Sequence, residues 1–207
     1  MKQETINILT GLIKETLLSI EDTEVSDSNA CSFPQTAFVF DKEGKMSVIV
    51  LPFDGKDKKE VLFSLGLQCY KKGIVRIALM MEVAIKSSTS EDIDPSEMPL
   101  AYPPEMRKEA IIIQYMNLQD GNDQCMLVQP YSIINNKVKK NSSELQTHAK
   151  YQSGILRTVL SGFVKHYITS RIEKHKVEDL TEELAISIVT ELKKEYPALT
   201  DISEFFL

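Results

Sequence analysis

Three side chains in the middle of the chain, Glu82, Arg107 and Glu109, could act together in one chemistry. Glu82 lies late in the apolar run "IVRIALMMEVAIK", and Arg107 and Glu109 open the next one, "RKEAIIIQYMN". Between the runs stands an insertion, residues 87–106, rich in acid, Ser and Pro. Long insertions of this kind in compact domains are functional or disordered. If the two runs are antiparallel strands, the three residues meet near the mouth of the insertion. A Glu on an apolar strand face is costly unless it is paired or hydrated. An Arg fork can satisfy it with two parallel hydrogen bonds. Such a set can bind an anion, or tune a carboxylate for acid–base work; it can equally be an ion pair that pins the ends of the loop.

Other chemistry is largely excluded. The chain has no G-x-x-x-x-G-K-[ST], no G-x-G-x-x-G, no G-x-S-x-G and no H-E-x-x-H. His148, His166 and His175 all fall in sequence that reads as C-terminal helix. His166 and His175 are nine residues apart, on opposite sides of one helix. No metal and no cofactor are expected. Cys31, Cys69 and Cys125 are odd in number and far apart. They fit neither a zinc site nor a disulfide framework, and read as buried thiols.

Charge adds two features. The formal net charge of −6 does not invite nucleic acid or an anionic membrane. Yet residues 137–176 hold nine Lys or Arg against Glu144 and Glu173, and 177–207 hold eight acids against Lys193 and Lys194. A basic helix in 137–176 could bind phosphate backbones. It could also pack beside the acidic segment with both charged faces solvated. The chain closes on "SEFFL", where Phe205, Phe206 and Leu207 form a candidate partner surface or a plug on their own domain.

These residues need elements to hold them. Ile6, Leu9, Ile13, Leu17 and Ile20 have the spacing of an amphipathic helix. "TAFVFDKEGKMSVIVLPF" reads as a hairpin turning at "DKEG", where Gly44 can take positive φ. A second helix runs from an Asp57 cap to Gly73, with Val61, Leu62, Leu65 and Cys69 inward. Next comes a strand with Val75, Ile77, Leu79, Met81, Val83 and Ile85 on one face. Two more follow, "EAIIIQYMNLQ" and "QCMLVQPYSII", joined at "DGND". Pro130 in the last suggests an edge or a bulge. From about residue 142 the chain reads helical, with Ile155, Val159, Phe163, Tyr167 and Ile172 on one stripe and a further helix ended by Pro197.

The implied fold is α+β: an antiparallel five-stranded sheet in α-β-β-α-β-β-β order, followed by C-terminal helices. Hairpins without helical crossovers favour antiparallel pairing. The sheet's apolar face needs a cover, from the first two helices or the C-terminal ones. In order of elements the chain resembles roadblock- and profilin-like domains, a likeness of topology that carries no function. Residues 1–140 would form the sheet domain and 141–207 a helical appendage packed on it. No stretch of eighteen apolar residues suits a membrane span, so a cytoplasmic protein is expected. The favoured role is a non-enzymatic binding or assembly domain with a protein partner or a second copy of itself. The alternatives are a hydrolase-type enzyme using Glu82, Arg107 and Glu109 under the 87–106 loop, and a nucleic-acid-associated protein using the 137–176 helix.

Overall fold

The computed structural model describes residues 3–21, 34–53, 57–86, 107–135, 137–140, 145–149, 154–176 and 181–199. Helix α1 (Gln3–Ile20) leads into the hairpin β1 (Thr36–Asp41) and β2 (Met46–Val50). Helix α2 (Lys58–Lys71) precedes the long strands β3 (Ile74–Lys86), β4 (Arg107–Asn117) and β5 (Asp120–Ile134). Two short strands, β6 (Lys137–Lys140) and β7 (Gln146–Ala149), come before helices α3 (Gly154–Ile172) and α4 (Glu182–Glu195).

The α+β class and the antiparallel sheet agree with the sequence. The strand count does not: the sheet has seven strands, in the order β2-β1-β3-β4-β5-β6, with β7 also paired to β5. The extra two fall in 137–149, where polar, Lys-rich sequence has no strand signature. His148 therefore sits on β7 rather than on a helix. Pro130 explains the geometry there. β6 pairs with Tyr131–Ile134 and β7 with Val128–Cys125, and the register between them slips by three residues. Pro130 stands at the break, and its ring nitrogen has no hydrogen to offer a continuous partner.

Capping works as the sequence implies. Asp57 accepts a hydrogen bond from Lys59 N at 2.8 Å, and Gly73 follows α2 at φ +63°. In the β1–β2 turn Asp41 Oδ1 accepts from Glu43 N and Lys45 N, and Gly44 takes φ +85°. The β4–β5 turn differs from expectation. It turns at Leu118 and Gln119, ahead of "DGND", and residues 121–123 bulge out of β5. Leu118 is the cause: it is fully buried, and its backbone is held by Val75 O and Ala198 N.

Both faces of the sheet are apolar and each has its own core. On one, Val75, Ile77, Leu79 and Met81 pack with Leu62, Leu65 and Cys69 of α2, Leu156 to Tyr167 of α3, and Ile188 and Leu192 of α4. On the other, Phe38, Phe40, Ala78, Met80, Ile111, Ile113, Tyr115 and Leu127 meet Leu9, Ile13, Leu17 and Ile20 of α1. The single covered face expected from the alternation of β3 is thus corrected: Ala78 and Met80 are small or adaptable enough to pack as well. α2 and α3 cross where Gly66 meets Gly162. A Cβ on Gly66 would overlap the carbonyl oxygen of Val159, and one on Gly162 that of Phe63.

Candidate functional site

The three positions singled out first do come to one face. β3 and β4 pair antiparallel with Glu82 opposite Ile111, Ala84 opposite Glu109 and Lys86 opposite Arg107. By parity all three positions share the α1 side of the sheet. Glu82 and Glu109 are diagonal neighbours, a spacing of about 7–8 Å in an antiparallel pair. Arg107 stands four residues further along the ladder from Glu82, roughly 14 Å of backbone at ~3.4 Å per residue. The register therefore puts the two carboxylates next to each other and Arg107 beyond Glu109. Both carboxylates are half-buried, and neither is a lone charge. The side chain of Arg107 and the 87–106 loop lie outside the described residues.

The sequence missed a fourth member of this neighbourhood. Tyr131 pairs directly across from Glu109. Its ring is 1% exposed, and its hydroxyl is buried with no hydrogen-bond partner among the described residues. A buried hydroxyl left so is uncommon in folded proteins.

A second polar cluster lies at the N-terminal end of α1, under the β4–β5 bulge. Asp123 is 2% exposed. Its Oδ2 accepts from Tyr115 Oη at 3.0 Å, Asn117 Nδ2 at 3.4 Å and Thr5 Oγ1 at 3.5 Å. Burial, followed by the charge and hydrogen bond of Asp123, holds the Tyr115 phenol well above its usual range, against an opposing pull from Thr5 and Arg76. Arg76 stacks on Phe40, its cross-strand partner, at 4.9 Å. Thr5, Ile8, Leu9, Phe40, Arg76 and Tyr115 line a small hollow here. The arrangement ties α1 to the sheet, because one buried carboxylate on β5 gathers donors from α1 and β4. It was hidden because "DGND" reads as turn sequence.

The third feature is the outer edge of β2. On a strand of burial pattern exposed-exposed-exposed-intermediate-exposed, Met46 is 44%, Val48 56% and Val50 58% exposed. They stand opposite Phe40, Phe38 and Thr36, on the α1 side. Ile8 of α1, 43% exposed, lines the hollow with Phe40, the cross-strand partner of Met46. Among the described residues, β2 is an end strand of the sheet, and the outward backbone of the same three positions meets no neighbouring strand. Leu51 N donates to Gln35 O and Asp41 N to Lys45 O. In an antiparallel ladder, alternate residues turn both their N–H and C=O to the same neighbour. Odd-numbered residues of β2 therefore face β1, and Met46, Val48 and Val50 face outward. The run "MSVIV" contains no charge and no Pro, the usual devices that blunt an edge.

Elsewhere the candidates resolve into structure. Arg171 pairs with Glu195 at 3.0 Å and lies over Tyr167 at 5.0 Å, so α3 and α4 meet through opposite charge. The basic segment is not one helix: it divides into β6, β7 and α3. His166 packs edge-on against Tyr70, in a cluster with Phe163, Tyr167 and Tyr196. Among the described residues no group of His, Cys, Asp and Glu is placed to hold a metal ion. Nor among them is any helix long and apolar enough to cross a membrane. Phe205, Phe206 and Leu207 fall outside the described residues. Comparison of the chain with protein-family models, curated proteins and solved structures gives no match.

Proposed function

We propose that the chain is a non-enzymatic binding or assembly domain and that it binds through the β2 edge. One observation carries this reading: the outward hydrogen-bonding groups and the exposed apolar side chains belong to the same three residues, Met46, Val48 and Val50. An extended segment laid along such an edge gains main-chain hydrogen bonds and side-chain contacts together. The test is selection from a displayed library of extended peptides on the immobilised protein. Peptides with apolar residues at alternate positions are expected to enrich, and Val48→Lys should weaken them at least ten-fold. No enrichment, or equal binding by the variant, would sink the proposal.

A second reading rests on Glu82, Glu109 and the buried hydroxyl of Tyr131. Adjacent carboxylates beside a buried donor supply a frame for hydrolase-type acid–base work. If that is the site, a hydrolase substrate screen finds turnover that Glu82→Gln and Glu109→Gln both abolish. The roadblock- and profilin-like topology remains an analogy on either reading. Nucleic-acid binding through residues 137–176 is weakened by Arg171, whose charge is already met by Glu195. We place the protein in the cytoplasm, in line with the sequence.

A further inference from the structure

We infer that the occupant of the β2 edge is the β2 edge of a second copy, paired antiparallel about a two-fold axis at Val48. The inference rests on the binding reading above and deepens it. Three observations favour this partner. First, the edge offers main-chain donors and acceptors, so its complement is a strand and not merely an apolar surface. Second, "MSVIV" is complementary to itself. With Val48 opposite Val48 of the second copy, Met46 falls opposite Val50 and Val50 opposite Met46. All three are the outward-facing residues, so each pair can exchange both hydrogen bonds. The exposed side chains then lie on one face and meet only apolar neighbours. Third, there is no charge in the strand to set against its own copy. An isologous contact of this kind is the commonest route to a dimer.

The size of the patch sets the strength. Half-exposed side chains of this kind leave on the order of 100 Å² each, so three on each copy give roughly 600 Å² in total. Stable specific interfaces bury about 1,200–2,000 Å². The dimer should therefore be reversible, forming between about 10 μM and 1 mM.

Sedimentation equilibrium of the full chain across that range tests this. Average mass should climb from one chain toward two, while Val48→Lys, which sets two like charges on the two-fold axis, stays at one with an unchanged Tm. A register test runs beside it, in a Cys31→Ser background. Val48→Cys should form a disulfide-linked dimer under mild oxidation, since paired Cα atoms at ~5.5 Å are within disulfide reach. Val50→Cys, which faces Met46 instead of itself, should do so several-fold less. Two results overturn the inference: a chain that stays monomeric at 1 mM with no preferential Val48→Cys cross-link, or a dimer that Val48→Lys does not weaken. Either can occur while the peptide selection still succeeds, so failure of the second-copy inference is distinguishable from failure of the edge as a binding site.

Discussion

Asp123 shows how much one buried carboxylate can hold. Replacing it by Ala leaves the Tyr115 hydroxyl, the Asn117 amide and the Thr5 hydroxyl short of their common acceptor. Leaving buried donors unsatisfied costs about 1–3 kcal/mol, and a urea melt of Asp123→Ala should show a loss in that range or above. The buried thiols make a separate expectation. Desolvation pushes Cys69 up to about 12, partly offset by Lys72, and Cys125 up to about 11, helped by the charge of Asp123. Thiolate is the reactive form, so neither should react with a thiol reagent at pH 8 until the protein unfolds. Burial likewise lifts the Tyr196 phenol to about 12. All three groups ionise later in the folded protein than in the unfolded chain. Their contribution to stability is intact at neutral pH and is lost as pH rises through the window between their ordinary values and about 11–12. Thermal melts should hold steady to about pH 9 and then fall toward pH 11. A flat Tm over that span would mean that these groups are open to water.

At the scale of elements, the crossing of α2 and α3 depends on two hydrogens. Gly66→Ala or Gly162→Ala must push the helices apart against a fully packed core, since the overlap is with rigid backbone carbonyls. Each should cost more than the ~1–3 kcal/mol typical of overpacking, although Ala is the better helix former. Leu79→Ala, at a fully buried position in the centre of β3, should cost about 2–5 kcal/mol. Denaturant melts check both. The helices and long strands were legible in the sequence because apolar period and end signals agree there. Asp57, Gly73 and Gly44 mark their turns, and Leu9, Ile13, Leu17 and Ile20 mark the face of α1. β6 and β7 were not legible, because their pairing is decided by an edge of β5 that the local sequence does not encode. Gly66 and Gly162 did carry a signal: an isolated glycine inside each helix has a cost that close packing explains. The candidate site was half visible. Alternation placed Glu82 on the correct side of β3, but only the β4–β5 register could bring in Tyr131. The β2 patch lay in plain sight as "MSVIV", yet nothing local says that this strand is outermost.

For the whole molecule, charge argues against a nucleic-acid partner. The net charge is −6, and α3 shares its Arg171 with Glu195 of α4. The chain should pass a heparin column at physiological ionic strength. Retention that fades with added salt would instead point to the surface of residues 137–176.

The break at Pro130 also bears on how far association can go. It leaves the far side of the sheet with two four-residue strands, one of them carrying Lys137, Lys139 and Lys140. Short, interrupted and charged edges are poor templates for a further strand. On the inferred pairing the sheet is therefore monovalent: it joins once, through β2, and the product has no growing end. On that inference pairs arise in place of filaments, with a residue that cannot donate a hydrogen bond at one margin as the chain terminator for assembly begun at the other.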